Sequence, residues 1–154
     1  MTSEDILDVV ERKNYQSAMV RELGIYDKFA MNSDDDTIPV IRRIDALLIR
    51  SLVKTAIEVK ITKNDYRKET EEKRRMWRSV THRYIYVCPE GIILPEEVPD
   101  YCGLWWITER YKGFKECNSV KNAIINKSPD QIPERVFMNL CYREQKLRKA
   151  IKNK

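Results

Sequence analysis

The chain has 154 residues, 42% of them hydrophobic, with only 4 glycines and 6 prolines, which fits one folded domain and excludes a low-complexity or collagen-like chain. No apolar run approaches the roughly 18 residues of a membrane helix; the opening Ser3, Glu4 and Asp5 are unlike a secretory leader, so an intracellular, cytoplasmic address is expected and no membrane partner. The net charge of +5 is uneven: residues 112–154 carry eleven Lys/Arg against four Asp/Glu, leaving residues 1–111 at −2, so the C-terminal part is expected either to meet a polyanion such as nucleic acid or to be a solvated cationic helix.

In chain order, residues 3–23 predict a helix, with Ser3 as cap, Glu4 and Asp5 at its positive end, a stripe of Ile6, Val9, Val10, Met19 and Leu23, and Gly24 as its stop. Strand character follows over residues 25–32, a turn over 33–37, and two strands over 38–49 and 54–62. Thr62 and Asp65 form a pair resembling a capping box that opens a polar helix over 63–79. Residues 83–89 read as a strand, 89–103 as a proline-marked connection, 104–110 as a strand and 111–114 as a turn. A basic final helix spans about 132–151, with Val136, Phe137, Leu140, Cys141, Leu147 and Ile151 on its apolar face. This order describes a single mixed α/β domain over residues 1–154, with the first two helices covering one sheet face. The four cysteines form no CxxC and His82 is the lone histidine, so reduced thiols are expected rather than a structural zinc site.

The stretch TAIEVKIT, residues 55–62, is the informative one. On a strand Glu58 and Lys60 share one face while Ile57, Val59 and Ile61 share the other. Three other E-x-K triplets occur, at Glu11, Glu71 and Glu144, all in polar, helix-like surroundings. Taken alone, a solvated strand face with a weak ion pair explains the triplet. Asp45, in RRIDALLI, alters that reading. A hairpin centred between Ser51 and Leu52 makes Asp45 and Glu58 direct cross-strand neighbours, with Cβ atoms roughly 5 Å apart. Two facing carboxylates repel unless a cation lies between them. With the carbonyl of Val59 they offer hard oxygen ligands for Mg²⁺ or Mn²⁺, and Lys60 could orient or help deprotonate a metal-bound water.

Asp45, then Glu58-x-Lys60 after a short hairpin, in this order of elements, resembles the PD-(D/E)XK nuclease superfamily. RRIDALLI, IEVKITKNDYRKETEEKRRMW, HRYIYVCPEGI and DYCGLWWITE resemble, more narrowly, the MmcB-like DNA-repair nucleases over nearly the whole chain. Ile44 stands where the superfamily's motif has proline. The resemblance implies a restriction-endonuclease-like αβββαβ core, with a mixed sheet flanked by helices, plus the C-terminal basic helix. It implies a Mg²⁺-dependent DNA phosphodiesterase leaving a 5′-phosphate, in DNA repair or in phage or mobile-element DNA metabolism. Asp45, Glu58 and Lys60 would be catalytic, and Asp45, Glu58 and Val59 would hold the metal. Superfamily members often add an acid from the first helix, here Asp8 or Glu11, with Glu4, Asp5 and Glu22 as competitors. Beside this site, Lys63 and Arg67 are the expected phosphate contacts and Arg42 and Arg43 second contributors. Cutting both strands of a duplex with one site per chain would call for a homodimer. The alternative is a DNA-binding or scaffold protein on a nuclease-like fold, without catalysis.

Overall fold

This computed structural model describes residues 1–30 and 39–154. Its first helix, α1 (Ser3–Lys13), is capped by Thr2 rather than Ser3: Thr2 Oγ1 accepts from the Asp5 N–H and the Asp5 carboxylate accepts from the Thr2 N–H. The helix ends earlier than the stripe suggests, because Asn14 turns both its backbone N–H and its side-chain amide onto the Val10 carbonyl. Strand β1 (Ala18–Tyr26) then replaces the second half of the expected helix. Met19 and Leu23 have helical spacing, but pairing with β2 (Ile41–Arg50) along its length overrides that local signal. Gly24 is a strand residue, where a Cβ would come within 3.0 Å of Ile41 Cγ2. The expected turn over 33–37, the end of the strand expected over 25–32 and the start of the one expected over 38–49 lie outside the described residues.

Strands β2 and β3 (Val53–Val59) form a hairpin closed by Ser51 and Leu52 alone, with φ of 46° and 70°. Both values are left-handed, as a two-residue turn matching the sheet's twist requires. Ala46 therefore pairs with Ile57 and Arg50 with Val53, the register expected from a centre between Ser51 and Leu52. The polar helix expected over 63–79 is two helices, α2 (Lys63–Arg67) and α3 (Glu71–Val80), each with its own threonine cap: Thr62 accepts from the Asp65 N–H and Thr70 from the Lys73 N–H. Strands β4 (Arg83–Pro89) and β5 (Gly103–Glu109) continue the sheet in parallel with β3. The turn expected at 111–114 leads into β6 (Lys115–Lys121), an antiparallel edge strand whose polar sequence gave no strand signal.

The result is one six-stranded mixed sheet in the order β1-β2-β3-β4-β5-β6, flanked by helices on both faces. Here the expectation of two helices on one face is corrected. Ile6, Leu7, Val9 and Val10 of α1 join Ala46, Ile57, Val59, Ile85 and Val87 in one core. Met76, Trp77 and Val80 of α3 join Leu47, Ala56, Tyr84 and Tyr86 in the other. Strands β3 and β4 are oily on both faces, as buried parallel strands are. The final helix, α4 (Glu134–Lys152), follows its expected span, but of its apolar face only Val136 is buried; Leu147 and Ile151 are 63% and 71% exposed. Arg143 ties it to the sheet by donating to the backbone carbonyls of Arg21 and Glu22 at 2.9 and 2.7 Å. Cys88, Cys102 and Cys117 are buried and Cys141 is exposed, all as free thiols. No helix among the described residues is long and apolar enough to cross a membrane.

The Ser51–Leu52 turn carries a measurable cost, because each left-handed residue other than glycine or asparagine is unfavourable by about 1–2 kcal/mol. Leu52 is 89% exposed, so replacing it removes no packing. Ser51→Asn with Leu52→Gly is expected to stabilise the protein by about 1 kcal/mol, read in thermal melting as a rise of about 2–4 °C. A lower melting temperature would contradict the turn geometry.

Candidate active site at the ends of the central strands

The β2–β3 ladder ends at Ala46 and Ile57; Asp45 and Glu58 are the next residue along each strand, and the charge of Asp45 reaches Glu58. Asp45 Oδ2 accepts the Val59 N–H at 2.7 Å, which fixes its carboxylate against β3. Glu58 pairs along the sheet with Tyr86 of β4. Lys60 lies just past the end of β3, its N–H still held by the Val87 carbonyl. Its ammonium reaches Glu58 Oε1 at 2.9 Å and Glu69 Oε1 at 2.6 Å. All three side chains are largely out of solvent, Glu58 at 14%, Lys60 at 12% and Glu69 at 9% exposed.

Glu69 is the residue the sequence reading missed. It sits in the break between α2 and α3, where it enters the site instead of following a helical path outward. A signal for this existed: Thr70 followed by Glu71 and Glu72 is itself a helix start, eight residues after the one at Thr62. Glu69 Oε2 accepts the Tyr86 hydroxyl at 3.0 Å, and Tyr86 in turn accepts from Arg74 Nη1 at 3.1 Å. Arg74 is buried and donates also to the Tyr101 hydroxyl at 2.9 Å and to Glu71 at 3.1 Å.

Two carboxylates thus hold one ammonium, with the Asp45 carboxylate close enough to feel its charge. The site carries more negative than positive charge when all are ionised, and burial strengthens every term. Burial first, and the neighbouring charge of Asp45 second, push the Glu58 carboxyl up to about 7, against the pull of Lys60. Burial raises Asp45 as well; the Val59 N–H and Lys60 oppose it, while the charges of Glu22 and Glu69 add to it. Lys60 is also raised: burial alone would lower it, but the carboxylates of Glu58 and Glu69 outweigh burial and hold it as an ammonium.

Asp45 Oδ1 and Glu58 Oε2 accept no hydrogen bond among the described residues. They are hard oxygen donors in a site short of positive charge, the kind of set Mg²⁺ or Mn²⁺ takes with one or two carboxylates and several waters. Among the described residues no group of three or more His, Cys, Asp or Glu side chains is arranged to hold a metal ion.

The remaining expected residues are placed as follows. Asp8 and Glu11, with Glu4, converge on Arg21 at 2.8, 3.1 and 2.7 Å; they lie on α1, which packs on the opposite sheet face, and a guanidinium already engages them. Glu22, on β1 with φ of 56°, is the nearby acid whose charge reaches Asp45. Arg42 is committed to buried Asp27 at 2.9 Å and to Glu72 at 3.3 Å, so it fastens the start of β2 rather than standing open to phosphate. Lys63 is paired with Glu97. Arg43 and Arg67 are exposed, and Arg67 makes a 3.5 Å contact with Asn64. Trp77, Tyr84 and Tyr86 are core residues.

No protein-family model matches this chain, and no curated protein does. Among solved structures it is similar to the SPO1766 protein of unknown function from Silicibacter pomeroyi, at 17% identity and a TM-score of 0.58, covering 93% of this chain and 88% of that one. That likeness concerns the fold alone.

The raised Glu58 carboxyl gives the metal-free protein a pH signature. The folded state keeps this proton up to about 7, whereas an unhindered glutamate releases it near 4.5, so the stabilisation is complete below the lower value and is lost as pH rises through the upper one. Urea unfolding in the presence of a chelator should show wild type losing stability from pH 5 to 8 relative to Glu58→Gln, with Asp45→Asn reducing the loss. Parallel pH profiles for wild type and Glu58→Gln would contradict the assignment.

Proposed function

We propose that this chain is a Mg²⁺-dependent phosphodiesterase of PD-(D/E)XK type acting on DNA, built on a restriction-endonuclease-like core. One observation carries the reading: the two-residue turn aligns Asp45 with Glu58 and Lys60 where carboxylates outnumber cations. The order α1, β1 to β3, the crossover helices and β4, with β3 and β4 parallel, agrees with the αβββαβ arrangement that the resemblance implies.

Asp45 Oδ1, Glu58 Oε2 and the Val59 carbonyl would hold Mg²⁺ or Mn²⁺. A bound divalent ion supplies a Lewis acid that lowers the pKa of water and offsets charge on the phosphate. Asp45 is pre-oriented for this by the Val59 N–H. Lys60 acts as a charged donor, orienting the attacking water and compensating phosphate charge; held as an ammonium by two carboxylates, it is no general base. Arg43 and Arg67 contribute exposed positive charge for the backbone, and Lys63 joins them when a phosphate replaces Glu97. The basic α4 adds attraction for the polyanion, and a homodimer would supply the second site for duplex cutting.

The non-catalytic DNA-binding reading has one observation in its favour: Lys60 is already neutralised in a half-buried ion cluster, which can be structural in itself. A panel of labelled single-stranded, duplex and branched DNAs, incubated with Mg²⁺, Mn²⁺, Ca²⁺ or chelator, separates the two. Wild type is expected to cleave with Mg²⁺ or Mn²⁺, and Asp45→Ala and Lys60→Ala each to lose about a hundredfold or more in rate. Without metal, Asp45→Ala should bind DNA as tightly as wild type or more so, and Lys60→Ala less tightly. Full cleavage by purified Asp45→Ala would sink the mechanism; absence of cleavage throughout, with the binding pattern intact, selects the non-catalytic reading.

A further inference from the structure

Lys60 has two carboxylate acceptors, and they are held in different ways. Glu58 is bound to Lys60 through Oε1 and is free of hydrogen bonds at Oε2 among the described residues. Glu69 is fixed at both ends: Oε1 meets Lys60 at 2.6 Å and Oε2 receives the Tyr86 hydroxyl at 3.0 Å. Behind Tyr86, the buried guanidinium of Arg74 donates to that same hydroxyl at 3.1 Å and is braced by Tyr101 and Glu71. The break between α2 and α3 admits Glu69 to the sheet's end, and Tyr86, the cross-strand neighbour of Glu58, secures it there.

The arrangement matters because Lys60 competes with any cation for Glu58. An ammonium with Glu58 as its only partner would resist losing it, since a buried charge left unpaired is strongly unfavourable. A second acceptor, already in contact and unable to rotate away, removes that penalty. Resting on the reading of Asp45 and Glu58 as a divalent-cation pair, we propose that Glu69 is a positioning residue that takes over the Lys60 ammonium and frees Glu58 to bind the cation, with Tyr86 and Arg74 holding Glu69 in place. Glu69 does not itself ligate the cation.

The test is a double-mutant cycle on Mn²⁺ affinity, measured by titration calorimetry on the full chain without DNA, using wild type, Glu69→Gln, Lys60→Met and the double variant. Removing the Glu69 charge weakens binding somewhat in either background. If Glu69 acts through Lys60, Glu69→Gln costs about tenfold more affinity when Lys60 is present than when it is methionine. Equal losses in both backgrounds would mean that Glu69 acts on the cation directly or by charge alone, and would overturn the proposal, as would unchanged affinity in Glu69→Gln. Tyr86→Phe alters no charge and serves where Glu69→Gln fails to fold: it should weaken Mn²⁺ binding about threefold with Lys60 present and leave it unchanged in Lys60→Met, and an unchanged affinity with Lys60 present overturns the proposal. Wild type that binds no Mn²⁺ removes the metal reading and this inference together, whereas Mn²⁺ binding without the Lys60 coupling removes the inference alone.

Discussion

The candidate site depends first on a two-residue turn. Strand side chains alternate faces with a period of two, so a slip of one residue between β2 and β3 would carry Asp45 away from Glu58 and oppose it to a core residue. The left-handed pair Ser51 and Leu52 excludes that slip by leaving no third residue in the loop, and Ala46, Leu47 and Leu48 reinforce it by packing against the cores on the two sheet faces. Neither turn residue is favoured in that conformation. Burial of the aligned strands outweighs the local cost and holds the turn in that conformation.

The second constraint is electrostatic. Facing two carboxylates across a half-buried sheet end and adding a third from a helix break is destabilising unless cations offset the charge. Lys60 offsets one negative charge, and the upward shifts of Asp45 and Glu58 come from burial first and from the remaining negative charge second. The groups around it are arranged to keep Lys60 charged and Glu69 fixed, while one oxygen of each remaining carboxylate is unengaged among the described residues. That asymmetry, with one acceptor braced and the other open, distinguishes this cluster from Arg21 with Glu4, Asp8 and Glu11, where three exposed acids share one guanidinium on the far side of the sheet.

How much of this could be read from the sequence follows from the range of each interaction. Asp45, Glu58 and Lys60 were legible because strand periodicity and a hairpin centre are local properties. The α4 span and the β4 and β5 strands were legible for the same reason. The strand β1 was not, since Met19 and Leu23 carry a helical spacing that only pairing with β2 overrules, and β6 was hidden by its polar edge-strand sequence. Glu69 was obscured by treating α2 and α3 as one helix; its partners Tyr86 and Arg74 read as an ordinary core aromatic and one basic residue among many. The fate of Arg42 was likewise out of reach, because its partner Asp27 lies fifteen residues away along the chain.

The most direct measurement is an anomalous difference map from crystals of the full chain soaked in Mn²⁺. A peak is expected bonded to one oxygen of Asp45 and one of Glu58, at roughly the 2.1 Å of a hard divalent ion, with Lys60 resting on Glu69 alone. A saturated crystal with no density between the two carboxylates, and Lys60 still shared between Glu58 and Glu69, would contradict the reading of Asp45 and Glu58 as a cation pair.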